Sequence, residues 1–238
     1  MRTESVELGY LAAPPQGAHP GIVMLHDVWG LSDHTRDLAR RLAAERFTVL
    51  ALDLYRREGA LQIEDPGAWM RALSDPQVLS DVQAALRFLA ARPETSGARI
   101  GVTGFCMGGM YALMAGCACE GVSAVVAFYG LLSHEHGILH DAQGLDPARK
   151  PRQPLDWASA LRCPLLAFYG DRDEFVPLED VRALEARLAT SGQPAEIVVV
   201  PDAGHAFMND TRPDAYRPEL ARLAWERSIA FFGAKLRG

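Results

Sequence analysis

Cysteine is scarce in this 238-residue chain: Cys106, Cys117, Cys119 and Cys163 are the whole complement, too few and too unevenly spaced for a disulfide framework. Cys117 and Cys119 form a C-x-C pair with no second pair to complete a metal or redox motif, so they read as packing, as does Cys163 ahead of Pro164. Any apolar run of membrane-spanning length is also lacking. The opening Met1-Arg2-Thr3-Glu4-Ser5-Val6-Glu7 has no apolar centre of the kind a signal peptide carries, so a cytoplasmic location is expected, and its reducing milieu suits a working thiol. Basic charge is not in excess: 24 Lys and Arg against 30 Asp and Glu leave a formal charge of −6, which argues against a nucleic-acid partner. Neither repeat nor linker interrupts the chain. Residues 1–238 are expected to form a single domain, and at 49% hydrophobic it can bury a sizeable core.

What is present is an alternation of β-like and helical segments. Strands are predicted at Ser5 to Ala12, Gly21 to Leu25, Thr48 to Leu52, Ile100 to Gly104, Ala124 to Phe128, Pro164 to Tyr169 and Glu196 to Val200. Helices are predicted at His34 to Ala44, Pro76 to Ala91, Met107 to Ala118, Leu178 to Thr190 and Glu219 to Phe232. Such alternation predicts an α/β fold with a mostly parallel central sheet covered by helices on both faces.

The segment Gly104-Phe105-Cys106-Met107-Gly108 lies where a predicted strand meets a predicted helix. A nucleophile on a sharp strand-to-helix turn needs small residues two positions to either side, and Gly104 and Gly108 satisfy that need. The helix that follows directs its N-terminus at the sulfur, which favours thiolate. Hydrolases built on such a turn run nucleophile, acid, histidine along the chain. Asp173, in Gly170-Asp171-Arg172-Asp173-Glu174-Phe175-Val176-Pro177, and His205, in Ala203-Gly204-His205, each follow a predicted strand, and strand ends in a parallel sheet share one edge. Asp173 is preferred to Asp171 because it fits a Gly-x-x-Asp-x-x-Val-Pro pattern. In this reading His205 manages the proton of Cys106 and Asp173 orients the imidazole. One oxyanion donor is the Met107 N–H.

At these positions the chain resembles the dienelactone hydrolase family of the α/β-hydrolase superfamily. The resemblance extends to Gly21 through Leu31, which is similar to the family's strand and "HEIFGL" segment, and to Thr48 through Tyr55, similar to its "A-x-x-P-D-L-Y" strand with Leu52 in place of proline. Phe128-Tyr129-Gly130 and Gly204 to Phe207 also match in order, so the likeness runs from about Val6 to Phe232. It implies that the Val28 N–H is the second oxyanion donor and that Asp27, where the family has glutamate, modulates the thiol. The alternative for Asp27 is ordering of its own loop. The family's arginine beyond the histidine is replaced by Asn209, and Arg71, a candidate for a second arginine, is read as a solvated side chain.

The expected activity is opening of a small carboxylic ester or lactone through an acyl-cysteine, with no cofactor or metal. A broad small-acyl carboxylesterase or thioesterase and a catalytically silent thiol sensor stand as alternatives. The stretch from Leu131 to Trp157 is too long to be idle and is placed beside the pocket. Its His134, His136 and His140 raise a metal reading that their spacing disfavours. Oligomeric state is left open.

Overall fold

The computed structural model describes residues 1–58, 62–95 and 97–237. Eight strands form one sheet among them: β1 (Arg2–Val6), β2 (Gly9–Ala13), β3 (Gly21–Leu25), β4 (Thr48–Leu52), β5 (Ile100–Phe105), β6 (Val122–Phe128), β7 (Leu165–Gly170) and β8 (Ala195–Val200). Their order is β1-β2-β4-β3-β5-β6-β7-β8, parallel from β4 to β8 and antiparallel at the β1 and β2 end. Every residue of β3, β4, β5 and β7 is buried, as expected for parallel strands covered on both faces.

Helices cover both faces. Helices α1 (Asp33–Ala44) and α6 (Pro218–Leu236) pack on one; α3 (Asp75–Ala90), α4 (Met107–Ala118) and α5 (Leu178–Leu188) pack on the other. The twofold alternation of β3 divides its side chains accordingly: Ile22 and Met24 join Leu38, Leu42 and Phe232, while Val23 and Leu25 join Val82, Leu86 and Met110. Ser32 caps α1 by accepting from the Thr35 N–H at 3.2 Å.

Two elements depart from the sequence-based expectation. The strand expected from Ser5 to Ala12 is a hairpin, with Val6 paired to Gly9 across a turn at Glu7 and Leu8. Gly9 permits the reversal: its φ is +144°, and a Cβ there would lie 2.2 Å from the Ala51 carbonyl oxygen. A short helix, α2 (Pro66–Ala72), was not anticipated because seven residues carry too little periodicity. Its start has local cues, with Pro66 in the first turn and Asp65 Oδ1 accepting from the Ala68 N–H at 3.0 Å.

The long segment after β6 contains two 3-10 stretches, Gly137–Leu139 and Pro154–Ala160, and is fastened to the helical layer from within. Lys150 Nζ donates to Asp75 Oδ1 at 2.6 Å and to Tyr111 Oη at 3.1 Å, and Tyr111 Oη–H donates to the same carboxylate at 2.8 Å. Both members of the ion pair have 1% of their side-chain surface exposed. Removing one charge strands the other, so Lys150→Met is expected to cost about 3–5 kcal/mol in urea unfolding. A loss under 1 kcal/mol would show that the pair does not hold the segment.

Candidate active site

The strand-to-helix corner is as tight as the glycine spacing requires. A Cβ on Gly104 would lie 2.1 Å from the Gly108 carbonyl oxygen, and one on Gly108 would lie 2.2 Å from that of Leu25 at the end of β3. Only glycine lets β5, α4 and β3 approach so closely. Cys106 takes the corner with φ 55° and ψ −118°, a region costly for a residue with a side chain. Its backbone N–H is bound by the Phe128 carbonyl at 3.0 Å, which ties the corner to β6. Tyr129 (φ 39°) and Ala206 (φ 60°), both beside the same cleft, share the unusual backbone sign.

The loops after β7 and β8 bring Asp173 and His205 to this corner. His205 Nδ1–H donates to Asp173 Oδ2 at 2.8 Å, and the Asp173 side chain is fully buried. The other oxygen of Asp173, Oδ1, accepts from the N–H groups of Phe175 at 2.8 Å and Val176 at 3.2 Å, so the carboxylate is held at both ends. The imidazole stands edge-on to Tyr129 and Phe175, with ring centroids 4.9 and 5.0 Å away. Burial works against its charged form. The neighbouring Cys106 sulfur and the Asp173 carboxylate more than offset that penalty and raise its pKa to about 10. Asp171, the other aspartate of this turn, is exposed.

The loop between β3 and α1 forms the facing wall. Asp27 Oδ1 accepts from the Trp29 N–H at 2.9 Å, so this carboxylate orders its own loop. Burial raises the Asp27 pKa, opposed by that hydrogen bond and by His26, His34 and His205. Among the described residues no hydrogen bond joins Asp27 to Cys106. Val28 is buried, and its carbonyl accepts from Tyr55 Oη–H at 3.0 Å. Met107 is the first residue of α4, where N–H groups have no intrahelical acceptor.

These residues enclose a cavity of about 110 Å³. Asp27, Cys106 and His205 line it together, and Trp29, Met70, Leu131, Ile138 and Phe175 supply apolar lining. Arg212 brings a guanidinium to the rim, where it also contacts Asp214 at 3.3 Å. Sequence reasoning missed Trp29, Met70, Phe175 and Arg212. The exposure of two large aromatics, Trp29 and Phe175, is a mark of a binding mouth that only the folded chain displays.

Comparison with known proteins decides the family. The model of the dienelactone hydrolase family matches residues 8–236. The chain belongs to the dienelactone hydrolase family. It is 33% identical to a protein of Methylorubrum extorquens provisionally named a carboxymethylenebutenolidase, over 94% of this chain and 75% of that one. A Bradyrhizobium protein, provisionally named a 2-oxo-3-(5-oxofuran-2-ylidene)propanoate lactonase, is 31% identical over 94% of this chain and 88% of its own. Among solved structures, a provisionally assigned dienelactone hydrolase from Klebsiella pneumoniae superposes with a TM-score of 0.83 at 32% identity, covering 94% of this chain and 91% of that one. The fold is that of the α/β-hydrolases. As a member of the dienelactone hydrolase family the chain is a carboxylic ester hydrolase acting on lactone or ester bonds, and the reading as a silent thiol sensor falls away.

Other residues singled out in the sequence have separate places in this dienelactone hydrolase family member. Arg71 is not simply solvated: its guanidinium donates to the Ile138 carbonyl at 2.7 Å, strapping α2 to the long segment, because the unforeseen α2 sets it against that segment. Asn209 lines the cavity. The three histidines diverge, His136 pairing with Asp180 at 2.9 Å and His140 reaching the His134 carbonyl at 3.3 Å. Among the described residues no three His, Cys, Asp or Glu side chains converge as metal ligands. Cys117, Cys119 and Cys163 are buried, and burial pushes their thiols up to about 12, 11 and 12, which makes them poor nucleophiles. Among the described residues no helix is long and apolar enough to cross a membrane.

Proposed function

We propose that the chain opens a small carboxylic ester or lactone by acyl transfer to Cys106. The observation that carries this reading is a doubly held Asp173 bonded to His205, which lines one cavity with a cysteine on a strained glycine-flanked corner. The Cys106 thiolate, paired with the His205 imidazolium, attacks the carbonyl carbon. A carbon–sulfur bond forms and the carbonyl π pair moves onto oxygen, where the N–H groups of Met107 and Val28 receive it. Collapse breaks the acyl–oxygen bond, and His205 gives its proton to the departing alkoxide. Water then attacks the thioester, His205 takes the water's proton, and the carbon–sulfur bond breaks to regenerate thiolate and release the acid.

Substrate choice follows from the walls. The cavity admits a small acyl group or a single lactone ring, and its apolar lining favours a neutral one. Arg212 at the rim favours an attached carboxylate, so an anionic lactone is the second reading. Rates on a dienelactone and on a neutral aryl ester of similar size decide between them. Quenched reactions analysed by mass spectrometry test the intermediate: an acyl adduct on the peptide containing Cys106 is expected, and its absence with every turned-over substrate would overturn the mechanism.

Asp27 has a through-space role in this proposal. Its carboxylate lines the same cavity as the Cys106 sulfur, where a negative charge would repel a second one, while its hydrogen bond keeps the loop in order. Asp27→Asn keeps an oxygen for the Trp29 N–H and removes the charge. Iodoacetamide labelling of Cys106 at neutral pH is expected to accelerate by about three- to tenfold, since a nearby charge shifts such an equilibrium by about 1 kcal/mol. Equal rates in the two proteins would reduce Asp27 to a loop residue.

A further inference from the structure

We infer that His26 is a positioning residue for acyl transfer: it sets the plane of the Asp27–Val28 peptide and thereby aims the Val28 N–H at the substrate carbonyl oxygen. The inference rests on the acyl-transfer reading above, in which Val28 supplies an oxyanion donor.

His26 directly follows the last residue of β3 and is 1% exposed. Its ring nitrogens have different duties. The Leu54 N–H lies 3.0 Å from Nε2, and because a backbone N–H can only donate, Nε2 must carry the lone pair. In a neutral imidazole the hydrogen is then on Nδ1, which donates to the Asp27 carbonyl oxygen at 2.6 Å. Burial lowers the His26 pKa, against opposing pulls from Asp27 and from Asp53, whose Oδ1 is 3.9 Å from Nε2, and so favours this neutral form.

The Asp27 carbonyl and the Val28 N–H are opposite ends of one planar peptide unit. Gripping the oxygen fixes where the N–H points. It also polarises the amide, making that N–H a better donor. The oxygen receives a second bond, from the Gly30 N–H at 3.2 Å, and the Trp29 N–H is occupied by Asp27 Oδ1. Among the described residues the Val28 N–H has no hydrogen-bond partner. The next peptide is gripped in turn by Tyr55, which donates to the Val28 carbonyl, stands edge-on to the His26 ring at 4.8 Å, and places its oxygen 3.3 Å from Met107 Sδ. His26 and Tyr55 thus hold both peptides flanking Val28, and Tyr55 also abuts the residue bearing the other donor.

Two isosteres separate the duties of His26. An asparagine amide reaches the Nδ1 position and retains a donor to the Asp27 carbonyl, whereas a glutamine oxygen reaches the Nε2 position and retains an acceptor for the Leu54 N–H. For each variant, kcat and KM on an activated ester are measured beside the rate of Cys106 alkylation by iodoacetamide, a displacement that builds no oxyanion. His26→Gln is expected to lower kcat on the order of tenfold or more with KM and alkylation within about twofold, and His26→Asn to retain most of kcat. Full kcat in His26→Gln, an asparagine variant as damaged as the glutamine one, or alkylation falling in step with kcat would each overturn the inference. Should a histidine variant fail to fold, Tyr55→Phe, which deletes one oxygen and keeps the ring, carries the test with the same expected pattern and the same overturning results. Turnover surviving in Cys106→Ala would place the fault with the acyl-cysteine reading, whereas an inactive Cys106→Ala beside a fully active His26→Gln would place it with His26 alone.

Discussion

Cys106→Ala is expected to lower ester hydrolysis by on the order of a thousandfold or more while leaving the chain folded. In the proposed mechanism the thiol supplies the covalent step, and no other cysteine can take its place: Cys117, Cys119 and Cys163 are buried with their thiols pushed well above neutrality. Alanine carries the same Cβ at φ 55°, so it inherits the corner's strain without adding to it. Cys106→Ser supplies a hydroxyl, far less acidic than a thiol, and under the proposed mechanism it is expected to recover little of the lost rate. Initial rates, thermal unfolding and mass spectrometry of the acyl adduct check the result together. Wild-type turnover by the alanine variant, folded and free of adduct, would remove Cys106 from the mechanism.

The second large effect belongs to the pair behind the proposed nucleophile. His205→Ala removes the proposed proton carrier and is expected to slow acylation at least as much as any change to the acid. Asp173→Asn acts more subtly. Because Oδ1 is pinned by the Phe175 and Val176 N–H groups, the asparagine oxygen stays on that side and its NH2 group faces His205 Nδ1. The nitrogen that donates to Asp173 must then accept, and the hydrogen moves to Nε2, where it cannot take a thiol proton. A fall of about a hundredfold or more is expected from this reversed tautomer. Asp171→Asn, at an exposed side chain of the same turn, is expected to leave the rate unchanged. Single-turnover acylation rates of the three variants test the assignment, and a silent Asp173→Asn beside a damaging Asp171→Asn would reverse it.

Much of the architecture was legible because it is written in short-range patterns. The continuous apolar runs Gly21 to Leu25 and Thr48 to Leu52 are strands with those bounds, and Met107 to Ala118 is the helix after the corner, because complete burial leaves a parallel strand no polar face to interrupt the run. Glycines at Gly104 and Gly108 were readable for a similar reason: the backbone approaches that forbid a Cβ lie at a local strand-to-helix turn. Chain order pointed to the turn holding Asp171 and Asp173 and to His205, the Gly-x-x-Asp-x-x-Val-Pro pattern favoured Asp173 within that turn, and the sheet's parallel sense brought Asp173 and His205 to the edge where Cys106 stands.

The hairpin at Glu7 and Leu8 escaped the same reasoning because reversal depends on how closely Gly9 approaches β4, a contact made more than forty residues away. The pocket walls escaped it too. Trp29, Met70, Phe175 and Arg212 belong to four segments with no common spacing, and their convergence follows from strand order, loop length and the packing of α2 on the long segment. Sequence by itself determined the class of fold and the order along the chain of the side chains proposed to react, since periodicity and glycine spacing act over a few residues. Only the tertiary structure decided which acid faces the histidine, how the Asp27 carboxylate is engaged and which way the His26 ring donates, because each depends on hydrogen-bond partners set by the three-dimensional course of the chain.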